Sequence, residues 1–155
     1  MNVEKIDRVD RKLLRELQAN SSLSVAELAQ LVNLSASACH RRIKLLEEAG
    51  FIKGYGAKLD AGRLGLSIEF FVEISLLAQS VQNLEDFENA VRRVPEILEC
   101  HLMGGQYDYL LRIAAASAVD YERIHRQAIT RLPHVARVQS SLALRVVKPW
   151  TGLPV

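Results

Sequence analysis

From Ile6 the apolar residues recur as Ile6, Val9, Leu13, Leu14 and Leu17 with charged residues between them, the stripe of one helix face. The stripe stops at Ala19-Asn20-Ser21-Ser22, a polar cluster that favours a turn. A second stripe of Val25, Leu28, Ala29 and Val32 follows, and Ser24 with Glu27 gives it the S-x-x-E start of a capping box. Asn33-Leu34-Ser35 interrupts that stripe, and Ser35 is a suitable N-cap for a third helix over Ala36 to Ala49. Gly50 suits the left-handed position beyond its end, with Phe51 placed to pack back on Leu46. So short a break between the second and third helices predicts a helix-turn-helix.

After Gly50 the period changes. Phe51 to Leu59 is glycine-rich and reads as a short extended linker strand, which sets a boundary within 54–65 between a first domain, 1–53, and a second, 66–155. Leu66 to Leu76 alternates, with Ile68, Phe70, Val72, Ile74 and Leu76 on one face and Ser67, Glu69, Phe71, Glu73 and Ser75 on the other. A helical stripe of Leu84, Phe87, Val91 and Val94 closes at Pro95. Strands follow at Ile97 to Met103 and, beyond a Gly104-Gly105-Gln106 turn, at Tyr107 to Ala114. A further helix starts near Ser117, with Val119, Ile124, Ala128 and Leu132 expected inward, and a last strand spans Val135 to Val147. Arg93-Val94-Pro95 and Arg131-Leu132-Pro133 end the two helices alike, an internal echo of two βαβ halves. The predicted fold class is α+β: an N-terminal helix-turn-helix domain followed by a ferredoxin-like βαββαβ domain whose second sheet face is left open for a homodimer contact.

Composition narrows the picture modestly. With 49% hydrophobic and 25% charged residues the chain reads as folded and globular, and at 155 residues each half buries a small core that gains from oligomerisation. The net charge of +2 gives no general argument for nucleic acid, so any basic footprint must be local. No apolar run is long enough to span a membrane, and Met1 to Asp10 lacks a secretory apolar core, so the expected location is cytoplasmic. The two cysteines, Cys39 and Cys100, have no metal-ligand spacing and are read as buried thiols.

Placed on a helical wheel, the third helix turns Cys39, Ile43 and Leu46 inward and Ser37, Arg41 and Lys44 outward, flanked by His40 and Arg42. Small residues at the start of such a helix let the backbone approach a major groove, while Arg and Lys reach guanine edges or phosphates. Ser24, Ser35, Ser37, His40, Arg41, Arg42 and Lys44 are therefore the candidate DNA contacts. An isolated basic run would be a solvated helix face; the two preceding helices at the right spacing favour the DNA reading.

In these blocks the chain resembles the Lrp/AsnC (leucine-responsive, or feast/famine) transcriptional regulators. The resemblance rests on Ile6-Asp7-Arg8-Val9-Asp10, on Leu34 to Ile43, on Gly50-Phe51-Ile52-Lys53-Gly54-Tyr55, on Phe71-Val72-Glu73-Ile74, and on Glu99 to Leu111. It implies dimers formed through the second domain that assemble into tetramers or octamers, and it implies amino-acid effectors bound between such domains. It also places the effector contacts on the turn Gly105, Gln106, Tyr107 and Asp108, with Ser140 and Ser141 on the last strand lining the same pocket. Backbone N–H groups of a glycine turn can hold a carboxylate, and an aspartate can hold an ammonium group. A purely local role, Gly105 for the turn and Asp108 as its cap, is the simpler alternative. The expected partners are double-stranded DNA, further copies of the chain and an amino acid, with no membrane and no cofactor.

Two other functions fit parts of the pattern. A tetrapyrrole-processing decarboxylase of similar fold would need a cavity lined by histidine and arginine, but His40, His101, His125 and His134 show no catalytic or metal spacing. An amino-acid-sensing assembly module without DNA binding is disfavoured by the intact Ser35–Lys44 segment.

Overall fold

The computed structural model describes residues 6–155. Residues 1–5, where the first domain of the sequence reading begins and where half of the stretch 1–10 lies, fall outside the described residues. The chain forms two compact units, one made of residues up to Lys58 together with Lys148–Val155, the other of Leu59–Val147.

The first unit holds α1 (Arg8–Ala19), α2 (Val25–Val32) and α3 (Ala36–Glu48). Each start is capped. Asp7 and Asp10 form a reciprocal box, Asp10 N–H donating to Asp7 Oδ1 at 2.8 Å and Asp7 N–H to Asp10 Oδ2 at 3.1 Å. Ser24 and Glu27 repeat the arrangement on α2, with Ser24 N–H donating to Glu27 Oε2 at 2.7 Å. Ser35 Oγ accepts from Ala38 N–H at 3.2 Å to open α3. The α2–α3 turn runs through Asn33 at φ 57°, a left-handed position that Asn tolerates. The end of α3 is a Schellman motif: Phe51 N–H donates to Leu46 O at 2.9 Å and Gly50 N–H to Glu47 O at 3.0 Å, with Gly50 at φ +76°. Leu13, Leu28, Val32, Cys39, Ile43 and Leu46 meet in the core, and burial pushes the Cys39 thiol above its ordinary value.

Residues beyond the Schellman turn form no strand, contrary to the extended linker strand expected over Phe51 to Leu59. Among the described residues, nothing pairs with that segment as a ladder. It is held instead by Ile52 against the helical core, by Tyr55 Oη donating to Glu47 at 2.8 Å, and by Lys58 Nζ donating to Gln18 O at 3.1 Å. A second difference lies at the other end. The last strand stops at Ala143 rather than Val147, and Lys148–Val155 joins the helical unit rather than the domain 66–155. There Gln18 Nε2 donates to Leu153 O at 3.1 Å, Leu153 N–H donates to Gln18 Oε1 at 2.6 Å, and the Arg15 guanidinium donates to Val155 O at 2.7 Å.

The second unit contains β1 (Ile68–Leu76), α4 (Val81–Val91), β2 (Ile97–Leu102), β3 (Tyr109–Ala115), α5 (Ala118–Gln127), a 3-10 turn (Ile129–Arg131) and β4 (Val135–Ala143). The sheet order is β2-β3-β1-β4, antiparallel throughout, which is the ferredoxin-like βαββαβ arrangement. Register puts Val72 opposite Leu111 and Ile74 opposite Tyr109, so the even positions of β1 and odd positions of β3 share one face. Phe87 and Val91 of α4 and Tyr121 and Ile124 of α5 pack on that face in one core, so both helices cover the same side. Phe70 stacks on Tyr121 with ring centroids 3.6 Å apart, and Phe87 meets Tyr109 at 4.5 Å. Val119, expected inward, is 77% exposed. With α5 starting at Ala118, five residues of helical rotation carry Val119 away from Ile124, and Tyr121 takes the inward place.

Candidate functional site

The outward side of α3 carries Ser37, His40, Arg41 and Lys44, all exposed, while Cys39, Ile43 and Leu46 anchor the other side. Ser35 Oγ and Ser37 Oγ lie 3.1 Å apart at the start of the helix. Arg41 is in no ion pair among the described residues, and Lys44 has one loose partner, Glu47 Oε2 at 3.7 Å. Glu47 also accepts from Tyr55, whose phenol is pushed up to about 12, by burial first and then by that hydrogen bond. Ser24 is exposed, but its hydroxyl is committed to Glu27 Oε2 at 2.7 Å within the cap. Glu27 is held below its ordinary value, first by that Ser24 hydroxyl and then by the Ser24 N–H.

Arg42 does not share the outward side. Its Nη1 donates to Asp7 Oδ2 and to Asp10 Oδ1, both at 2.8 Å, so its side chain lies along α1. A step of one residue turns a helix by about 100°, enough to send Arg41 to solvent and Arg42 to the neighbouring helix. The Asp7 carboxyl sits below its ordinary value, chiefly through the Asp10 N–H, then through Arg42. The sequence pattern groups Arg42 with the outward cations because it gives Asp7 and Asp10 no role. The D-x-x-D spacing at the head of the first apolar stripe is the available signal.

The turn expected to be an effector site joins β2 to β3. Gly104, Gly105 and Gln106 are exposed, and a Cβ at Gly105 would meet nothing within 4 Å. Asp108 is only 7% exposed. Its Oδ2 accepts the Leu76 N–H at 2.6 Å and its Oδ1 accepts from Gln79 Nε2, so the carboxylate ties the turn to the end of β1. Its backbone adds Asp108 N–H to Ile74 O and Met103 N–H to Asp108 O, both 2.8 Å. Gln79 is a participant that sequence reasoning misses; nothing in its local pattern marks it. Ser140 is not brought to this turn within the chain, because β1 lies between β3 and β4. It sits opposite Val72, on the helix side of the sheet, and accepts a hydrogen bond from Tyr121 Oη. Ser141 pairs with Phe71 on the other face.

That other face carries a charged chain crossing three strands. Arg112 Nη2 donates to Glu69 Oε1 and Arg112 Nη1 to Glu99 Oε1, each at 2.7 Å, and His101 Nε2 lies 3.2 Å from Glu99 Oε2. Arg112 is held above its ordinary value by Glu69 and then Glu99; Glu99 is held below its own by Arg112 and then His101. Phe71, 38% exposed, stands beside this chain. Cys100 points to the opposite, helix-covered face, and burial pushes its thiol up to about 11. Among the described residues no three His, Cys, Asp or Glu side chains are placed to hold a metal, and no helix is long and apolar enough to cross a membrane.

Residues 69–153 match the family model described as the Lrp/AsnC ligand binding domain, and residues 6–53 match that of a winged helix-turn-helix DNA-binding domain. The chain is 41% identical over 142 residues to the proline dehydrogenase transcriptional activator of Rhodobacter capsulatus, covering 92% of each protein. It is 38% identical over 143 residues to the leucine-responsive regulatory protein of Escherichia coli strain K12, covering 92% of this chain and 87% of that one. Among solved structures it is similar to a transcriptional regulator of Neisseria meningitidis crystallised as an L-Met complex, with a TM-score of 0.92 at 34% identity over 97% of each chain. These relatives are regulators of transcription rather than enzymes.

Proposed function

Since the chain belongs to the Lrp/AsnC family of transcriptional regulators and is an effector-modulated DNA-binding protein, we propose that α3 enters the major groove with Ser35, Ser37, His40, Arg41 and Lys44 toward DNA. One observation carries this assignment: Arg41 and Lys44 stand exposed on the side of α3 opposite its buried anchor, next to a helix start made of small residues. Arg41 supplies a bidentate donor for a guanine edge or a phosphate, and Lys44 a point charge for the backbone. The Ser24 cap holds the start of α2 as a second, backbone-directed contact.

The effector is an amino acid held at the Gly105–Asp108 turn. Support comes from the L-Met bound to the Neisseria meningitidis relative and the leucine named for the Escherichia coli one. The exposed N–H groups of the turn receive the carboxylate, and the ammonium group takes the place of the Gln79 amide at Asp108. Ser140 contributes from a second copy met in the further assembly rather than across the open sheet face, because it lies on the helix side of the sheet and β1 separates it from the turn within one chain. The chain works as a dimer that assembles further to a tetramer or octamer in the cytoplasm, with the open sheet face around Phe71 as the contact between copies.

The test measures affinity for DNA upstream of the protein's own gene while each common amino acid is titrated in. At least one amino acid is expected to shift the affinity of the wild type, and Asp108→Ala to abolish that shift. A response fully retained in Asp108→Ala contradicts the assignment of the turn.

A further inference from the structure

Resting on the reading that α3 faces DNA, we propose that Arg42 is a positioning residue: it touches no DNA and sets the orientation of α3 against α1 through Asp7 and Asp10. The four oxygens of these two carboxylates are fully assigned. Asp7 Oδ1 and Asp10 Oδ2 accept the two N–H groups of the α1 cap, and Asp7 Oδ2 and Asp10 Oδ1 both accept Arg42 Nη1 at 2.8 Å. One guanidinium nitrogen thus joins the cap of one helix to the middle of another, across 35 and 32 residues of sequence. Among the described residues it is the only side-chain hydrogen-bonded link between α1 and α3.

The charges argue the same way. Two carboxylates against one guanidinium leave the group net negative, so Arg42 presents little attraction to a phosphate while the pair is intact. Asp10 and Arg42 are also the more sheltered members, their side chains 16% and 28% exposed, and attraction between them is screened less than on open surface. Both bonds use Nη1, so a DNA contact by Arg42 would fall to Nη2 or Nε, on a group that is already net negative. Its chain neighbour Arg41 is under no such constraint. Because Arg41 and Lys44 flank Arg42 on the same helix, a rotation of α3 after loss of the link moves both of them. Apolar packing by Ile43 and Leu46 resists separation of the helices but is non-directional, whereas a bridge to two fixed oxygens selects one rotation.

The competing role, a phosphate contact, gives the opposite sign in one experiment. Full-length wild type, Asp10→Asn, Arg42→Gln and the double variant are titrated with the same operator duplex across a salt series. Asp10→Asn keeps the size of the side chain and one oxygen to accept the Asp7 N–H of the cap, but it replaces the oxygen facing Arg42 with an NH2 donor and removes one of the two charges that hold the guanidinium. Positioning predicts that Asp10→Asn and Arg42→Gln each weaken binding about tenfold, the scale of one base contact. The double variant is then no worse than either single one, and the slope of log affinity on log salt is unchanged in all three. Tighter binding by Asp10→Asn, or a slope reduced by about 0.9 in Arg42→Gln, overturns the proposal. Thermal unfolding without DNA checks that each variant is folded at the assay temperature. If Asp10→Asn is not, Asp7→Asn at the more exposed partner makes the same sign test. Arg41→Ala and Lys44→Ala run alongside: slopes unchanged in these two would sink the placement of α3 on DNA, a result separate from the sign seen for Asp10→Asn.

Discussion

Arg41 and Arg42 are adjacent, carry the same charge, and have different work to do. A sequence shows their charges and the period of the helix but not which side has carboxylates within reach. Asp108 teaches the same lesson: its place in the turn is legible, yet its burial and its bond to the Leu76 N–H arise from a strand end 32 residues away. Val119 is misplaced by the sequence pattern for a simpler reason, since the apolar stripe of α5 contains Tyr121, an amphipathic residue that buries its ring and keeps its hydroxyl on Ser140. At this scale the Glu69–Arg112–Glu99 chain makes a measurable statement about pH. The folded-state value of Glu99 is lowered, so its contribution to stability is present above the ordinary carboxylate value and is lost as pH falls through the lowered one. Arg112→Met should destabilise the protein by about 1 kcal/mol at neutral pH, a small figure because the chain is partly solvated. The gap from wild type should narrow between roughly pH 5 and 3 in thermal unfolding; a gap independent of pH would refute the account of this ion chain.

Elements are most legible where both ends are marked. The box at Ser24, the N-cap at Ser35 and the glycine stop at Gly50 are visible as local chemistry, because each depends on side chains no more than a few residues apart. The segment from Phe51 to Leu59 reads as a strand from alternation alone. A strand needs a neighbour, and no local pattern reveals whether one is present. Gly50→Ala tests the reading of helix ends: at φ +76° an added Cβ strains the backbone, and a loss of about 1 kcal/mol is expected in chemical unfolding. Gly105→Ala serves as the contrast, since its φ lies outside the left-handed region and its surroundings are open. Equal effects at both positions would show that the Schellman geometry does not hold the end of α3.

On the scale of the whole molecule, the internal echo of Arg93-Val94-Pro95 and Arg131-Leu132-Pro133 supports the βαββαβ order, and the sheet order β2-β3-β1-β4 agrees with it. The return of Lys148–Val155 to the helical unit is not legible, because it depends on Gln18 and Arg15 offering side-chain partners to a distant backbone. Nor does weak net charge predict a DNA-binding protein; the helix spacing and one cationic face do that. The central claim is that this face of α3 meets DNA. The most direct measurement is the salt dependence of operator binding by wild type and the Arg41→Ala/Lys44→Ala double variant. Removing a side chain that neutralises one phosphate lowers the slope of log affinity on log salt by about 0.9. The phosphate contact of Lys44 predicts a slope smaller by about 0.9 in the double variant, or by about 1.8 where Arg41 also holds a phosphate rather than a guanine edge, with weaker binding at every salt concentration. An unchanged slope and affinity in the double variant would contradict the account.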